Sequence, residues 1–254
     1  MGALHEGHLS LVRAARATSD CVVISIFVNP TQFGPNEDLA KYPRSLERDC
    51  EMLNREGVEF VFVPSVEEMY PAGAVTWVTV EELSGKLDGG SRPGHFRGVT
   101  TVVAKLVHIV EPDMAFFGQK DAAQVAVIRR MVRDLKFSVE IVVCPIVRES
   151  DGLAMSSRNA YLSAEERKWA LVLHRSLMRV EELVRGGERN AARLIAAGKD
   201  EFARERDVRL DYFEIVEPDT LDPIRDISEG ALVAVAAYVG STRLIDNLLL
   251  NQKQ

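Results

Sequence analysis

The chain is poor in cysteine. Its 254 residues hold three, Cys21, Cys50 and Cys144, far apart and without metal-ligand spacing. An odd, scattered count excludes a disulfide scaffold or a cysteine-held zinc and points to a reducing cytosol. Each is expected to fill core or helix. Positive charge is also short: 31 Lys and Arg stand against 38 Asp and Glu, a formal net charge of −7. Generic binding to nucleic acid or to a membrane surface is therefore not expected, and an anionic ligand must meet a local basic cluster. No apolar run is long enough to span a bilayer; 231–239 is among the longest. No secretory-signal pattern, internal repeat or low-complexity segment is recognisable. No strand precedes the first motif, so the chain opens directly on it. What it does have is a 46% hydrophobic fraction, enough for the core of one large domain or two modest ones.

That first motif is Met1-Gly2-Ala3-Leu4-His5-Glu6-Gly7-His8, followed at once by the apolar pattern Leu9, Leu11, Val12, Ala15. His5 and His8 thus stand where a loop becomes a helix, one turn apart and on one face. A helix start offers free N–H groups and partial positive charge, which suit a phosphate. A helix start with two solvated histidines is the plainer reading of the spacing alone. Zinc fits less well, because the pattern is not His-Glu-x-x-His.

Residues 21–28 form an apolar run expected to be a strand buried on both faces. It ends at a polar turn, Asn29-Pro30-Thr31-Gln32. A helix is expected over 38–56, burying Leu39, Leu46, Cys50 and Leu53, then a strand over 60–63 and an edge strand over 75–80. Residues 84–98, with five glycines, read as loop. Helix 99–110, strand 114–117, helix 122–135 and strand 139–143 follow. Strands alternating with helices argue an α/β fold with a doubly wound parallel sheet, whose ligands bind beyond the carboxyl ends of strands. The opening motif and the turns at 29–32 and 118–121 would then line one edge. After residue 147 the texture changes to helices near 163–185 and 190–206 and strands at 210–216, 232–239 and 244–250. The expected domains are 1–147 and a smaller α+β domain over 148–254.

Four clusters carry candidate chemistry. Asn29 and Gln32 present amides that donate and accept, suited to hydroxyls or a carboxylate, or else simply hold an Asn-Pro turn. Residues 91–98, with two arginines and a histidine, are either a loop covering an anionic substrate or solvated surface. Gly118-Gln119-Lys120-Asp121 sets a lysine between strand and helix, a phosphate-site order although not a P-loop, with Gln124 one turn on. Met155-Ser156-Ser157-Arg158 offers two hydroxyls and a guanidinium to phosphate oxygens, or is an ordinary loop. Together they describe nucleotidyl transfer, a chemistry of positioning and charge stabilisation.

These motifs, MGALHEGH (1–8), FVNPTQF (27–33), YPR (42–44), SRPGHFRGV (91–99), FFGQKDAAQ (116–124), MSSRN (155–159) and RLIDN (243–247), closely resemble the pantoate–β-alanine ligase (pantothenate synthetase) family of the nucleotidyltransferase superfamily. The resemblance implies a Rossmann-like domain binding nucleotide and pantoate, with the C-terminal domain closing over the site. It implies ATP-dependent condensation of (R)-pantoate with β-alanine through a pantoyl-adenylate, with release of pyrophosphate and AMP. It further implies Mg2+ accompanying ATP, and a cytoplasmic homodimer in coenzyme A precursor synthesis.

By motif, Met1, Gly2, Ala3, Leu4, His5, Glu6, Gly7 and His8 would bind ATP, with His5, His8 and Lys120 catalytic and His8 a neutral donor of lowered pKa. Gly118, Gln119, Lys120 and Asp121 would form the nucleotide turn. Val147 would contact adenine, and Met155, Ser156, Ser157 and Arg158 would clamp the phosphates. Asn29, Gln32 and Gln124 would bind pantoate and β-alanine. The family begins about thirty residues earlier, with a helix and a central strand, so loss of that strand is expected to expose its neighbours and unseat the histidine loop. Two other readings are a nucleotide-binding remnant without turnover and a different nucleotidyltransferase. The amides at 29, 32 and 124 speak against the latter, since they suit a diol and carboxylate better than a second phosphate.

Overall fold

A computed structural model of the chain describes residues 1–35 and 37–250. They form two compact units, one of residues 1–118 and 127–145, the other of residues 119–126 and 146 onward. The α/β class and the parallel pairing are as expected, with an antiparallel three-stranded sheet near the C-terminus.

In the first unit α1 (Glu6–Thr18) buries Leu9, Val12 and Ala15, one stripe at helical spacing. β1 (Val23–Ser25) pairs in parallel with β2 (Phe60–Phe62), Ile24 opposite Val61. Met1 bonds to the end of β1 and the residues after it: its N-terminal amino group donates to Ser25 O at 2.9 Å and its carbonyl accepts from Phe27 N at 3.0 Å. β3 (Met114–Gly118) and β4 (Glu140–Cys144) form a second parallel ribbon. Among the described residues no ladder joins the two ribbons. A core of Leu4, Leu9, Val12, Val22, Ile24, Ile26 and Leu53, with Phe116 of β3 against it, fills this part of the unit.

Several expectations need correction. The 21–28 run is not buried on both faces. Val22, Ile24 and Ile26 are buried, but Val23 is 37% exposed, because alternate side chains point to opposite faces and only one is covered by described residues. Residues 38–56 are not one helix. A 3-10 turn (Asp38–Ala40) is followed by α2 (Leu46–Arg55), since Pro43 and the restriction it places on its predecessor interrupt the pattern. Leu46 is 47% exposed, and Asp49 joins Leu53 on the buried side at 1% each.

Residues 75–80 form no strand. Thr100 Oγ1 donates to Val78 O (2.6 Å) and Thr101 Oγ1 accepts from Val78 N (3.0 Å), taking the groups a ladder would need. After α3 (Val66–Met69), the glycine-rich stretch folds into a 3-10 turn and α4 (Asp88–Ser91). α5 (His95–Val110) starts four residues early, at Gly94, whose φ of 84° only glycine adopts readily. α6 (Ala122–Leu135) matches its expectation. Of the cysteines, Cys144 is buried and Cys50 partly so, but Cys21 is exposed rather than core.

The second unit packs α7 (Ala164–Arg185) and α8 (Ala191–Ala203) on the antiparallel sheet β5 (Val208–Val216), β6 (Ala231–Val239), β7 (Thr242–Leu250), in that order. Ser163 and Glu166 close a capping box at the start of α7. β6 is buried along almost its whole length. No helix among the described residues is long and apolar enough to cross a membrane.

The histidine loop is seated rather than unseated. Ala3 N and Leu4 N donate to the two oxygens of Asp49, at 2.9 and 2.7 Å. This carboxylate holds Ala3 at φ 49°, left-handed backbone that costs a non-glycine residue energy. Asp49→Asn turns one acceptor into a donor facing an N–H. The expected loss is about 1–3 kcal/mol, read as a melting temperature lower by several degrees. An unchanged melting curve would remove Asp49 from this role.

Candidate active site

In the first unit the histidine pair is assembled by the start of α1. His5 is the N-cap in extended conformation, and its carbonyl accepts from His8 N (2.8 Å) and Leu9 N (3.1 Å). The two rings lie 4.0 Å apart between centroids. His5 N donates to His8 Nδ1 at 3.4 Å. With Nδ1 in the accepting role, Nε2 is the ring nitrogen left to carry a donor proton. Elsewhere in the motif, Gly2 is buried, and a Cβ there would stand 3.2 Å from the Val28 side chain. Leu4 is 2% exposed and belongs to the core. Glu6 points away to an ion pair with Arg13. Met1, Ala3 and Gly7 remain at least partly accessible.

The Asn29–Gln32 turn is a second assembly. Asn29 is 3% exposed. Its Oδ1 accepts from Tyr70 OH (2.8 Å), Thr31 Oγ1 (2.9 Å) and Thr31 N (3.3 Å). Its Nδ2 donates to Gly98 O (3.1 Å) and Gln32 Oε1 (3.2 Å). The Asn29 amide is thus fully engaged within the protein, while the half-buried Gln32 donates no hydrogen bond from its NH2 among the described residues. A Cβ on Gly98 would stand 2.4 Å from Thr31 O and 2.6 Å from Gln32 N, so α5 reaches the turn only because residue 98 is glycine.

The 91–98 stretch supports this turn. His95 Nδ1 donates to Gln32 O (2.8 Å), and its Nε2 accepts from Arg92 (3.1 Å). Arg92 in turn holds Glu37 through two bonds of 2.8 and 2.5 Å. Burial, then the Arg92 charge, lower the His95 pKa to about 4. Burial would raise the Glu37 pKa, but hydrogen bonds and charge from Arg92 outweigh it and hold it low.

In the second unit Gln119–Asp121 is a 3-10 turn leading into α6. Asn247 clamps it: its Nδ2 donates to Gln119 O and Lys120 O, both at 2.9 Å, and its Oδ1 accepts from Gln119 Nε2 at 3.0 Å. Asp246 fixes Asn247 through its backbone N–H (2.8 Å) and is itself held by Arg148 at 2.6 and 3.0 Å. Lys120 Nζ lies 3.6 Å from Asp121 Oδ1, and Gln124 is half-buried on the first turn of α6.

The serine loop is built on a small hairpin in which Met155 N donates to Val147 O (3.0 Å). Ser156 Oγ accepts from Arg158 N (3.2 Å) and caps the 3-10 turn Ser157–Tyr161. Asn159 ties it to Glu149 (2.8 Å) and Ala154 (3.1 Å).

The sequence reading brought His5, His8, Asn29, Gln32 and Lys120 forward but missed the groups that place them. Asp49 had a signal: an acid four residues before a buried leucine, on the same helix face. Asp246 and Asn247 had one too, as a polar pair in an apolar strand. Tyr70 had none.

These features belong to a ligase on an α/β scaffold. The profile of the pantoate-beta-alanine ligase family matches residues 1–249. The chain belongs to that family. It is 69% identical to the pantothenate synthetase of Acidobacterium capsulatum over 252 residues, covering 99% of this chain and 84% of that protein. It is 65% identical to that of Koribacter versatilis, covering 98% and 86%. The crystal structure of pantothenate synthetase from Thermus thermophilus superposes with TM-score 0.95 at 52% identity, covering 98% of this chain and 90% of that one. Pantoate-beta-alanine ligase from Francisella tularensis, complexed with beta-gamma ATP and beta-alanine, matches with TM-score 0.77 at 35% identity, covering 98% and 87%.

His95 gives this site a pH signature. Its folded-state pKa lies below its ordinary value of 6.5. As pH falls through 6.5 the unfolded chain takes up the proton first, so stability drops from there to about 4 and then levels. Melting temperatures across that window should fall more steeply for the natural chain than for His95→Gln. Parallel curves would contradict the neutral, buried imidazole.

Proposed function

We propose that the chain joins (R)-pantoate to β-alanine at the expense of ATP, through a pantoyl-adenylate. Family membership gives the class, and the histidine pair at the start of α1, with His8 presenting Nε2–H, is the observation that carries the chemistry. In the first step a pantoate carboxylate oxygen attacks the α-phosphorus. The O–P bond forms, the bond to the β-phosphate oxygen breaks, and pyrophosphate leaves with the electron pair. Negative charge grows on the phosphoryl and leaving oxygens, where His5, His8, the free N–H groups of α1 and Lys120 stabilise it. In the second step the β-alanine amine attacks the acyl carbon, AMP leaves, and the amine loses a proton.

Gln32 donates to pantoate through its free NH2, and Gln124 is its second ligand. Asn29 acts through Gln32 rather than on substrate. Gly118 to Asp121 hold the nucleotide phosphates, Val147 contacts adenine through its backbone, and Met155, Ser156, Ser157 and Arg158 close on the phosphates. Apart from His5, the residues Met1 to Gly7 contribute mainly backbone to ATP binding, since Leu4 lies in the core and Glu6 pairs with Arg13. No three His, Cys, Asp or Glu side chains gather as metal ligands among the described residues. Magnesium would accompany the ATP substrate, where one or two carboxylates and the phosphates suffice. The proposed setting is a cytoplasmic homodimer supplying a coenzyme A precursor, with residues 1–147 binding nucleotide and pantoate.

Mixed with ATP, the protein should release pyrophosphate only when pantoate is added, before any β-alanine. Release that waits for β-alanine would rule out the adenylate. His8→Ala should lower kcat about 10²-fold while leaving the ATP dissociation constant nearly unchanged. A large loss of ATP affinity at constant kcat would make His8 a binding group instead.

A further inference from the structure

We propose that Tyr70 is a positioning residue for the condensation, its hydroxyl anchoring the Asn29 amide that sets which end of the Gln32 amide faces the substrate. This rests on the reading of Gln32 as a pantoate ligand.

A side-chain amide has two chemically opposite ends of nearly equal size, and nothing in its own shape decides which faces a ligand. Around Asn29 the choice is decided by donors. Tyr70 OH, Thr31 Oγ1 and Thr31 N all converge on Oδ1, at 2.8, 2.9 and 3.3 Å. The Thr31 hydroxyl also approaches Tyr70 OH, at 3.1 Å. Flipping the Asn29 amide would set its NH2 against the Thr31 N–H, which can only donate, and its oxygen against the Gly98 carbonyl, which can only accept; the two hydroxyls then add donors to the oxygen so fixed. With Nδ2 thus committed to Gln32 Oε1, Gln32 must present NH2 outward. Polarity passes from hydroxyl to amide to amide, and the outward end is a donor suited to a carboxylate or hydroxyl oxygen.

Of the three donors, Tyr70 makes the shortest bond and comes from farthest along the chain. Its ring is held on several sides: it stacks on Trp77 (6.3 Å between centroids), meets Phe27 (6.3 Å), and has Lys105 Nζ 4.5 Å from its centre. Lys105 is itself tied to the Met69 carbonyl. Burial pushes the Tyr70 phenol up, outweighing its contacts with Thr31 and Asn29, so it keeps its proton through the neutral range.

Tyr70→Phe keeps the ring and its packing and removes only the hydroxyl. It should raise the pantoate KM about three- to tenfold, the scale of one buried hydrogen bond, with the ATP KM unchanged. The same substitution made on Asn29→Ala should change the pantoate KM no further, because the relay is already cut. A pantoate KM unmoved by Tyr70→Phe, or raised equally in both backgrounds, would overturn the proposal. Equal rises in the ATP and pantoate KM values would also overturn it, as general loosening. Gln32→Ala tests the underlying reading separately: if it leaves the pantoate KM unchanged, the assignment of Gln32 fails, whatever Tyr70→Phe does.

Discussion

The opening loop of this protein depends on one buried carboxylate. Asp49, on α2, accepts from two successive backbone N–H groups that no helix or strand serves. Without an acceptor there, Ala3 would have no reason to stay left-handed, and the turn that makes His5 an N-cap would have no fixed origin. The imidazoles take the start of their helix from that anchor and pack on each other, ring centroids 4.0 Å apart. An acid usually avoids the interior, and this one is tolerated because both of its oxygens are matched by donors.

The same device recurs wherever a candidate group must be held still. Asn29 collects three donors on one oxygen and spends both of its own on Gly98 and Gln32. In the other unit Asn247 grips two carbonyls and one amide of the Gln119–Asp121 turn, and is steadied in turn by Asp246 and Arg148. Such networks have two layers: groups free to meet a ligand, and fully satisfied polar groups behind them.

That division explains what was legible in the sequence. Regular elements announce themselves by period, so α6 and the strands of the second unit were readable from apolar spacing alone. The nearness of His5 and His8 follows from their being one turn apart. Where the chain satisfies its backbone with side chains instead of ladders, period misleads. Residues 75–80 alternate like a strand, but threonines of α5 take the place of a neighbouring strand. Partnerships between residues far apart leave no local trace: Tyr70 with Asn29, Asp49 with Ala3, Asn247 with Lys120. A motif names the group that is presented and is silent about what presents it.

Gly98 bears on how such a chain can drift over generations. The turn carrying Gln32 rests against the backbone of α5 with no side chain between them. Every codon change that replaces a glycine adds at least one carbon, and at this position that carbon lands on main chain, which has no rotamer to yield. Neighbouring core positions can exchange one hydrophobe for another and repack. Position 98 has no such neutral neighbour, so the spacing between helix and turn is copied unchanged while the packing around it is free to vary.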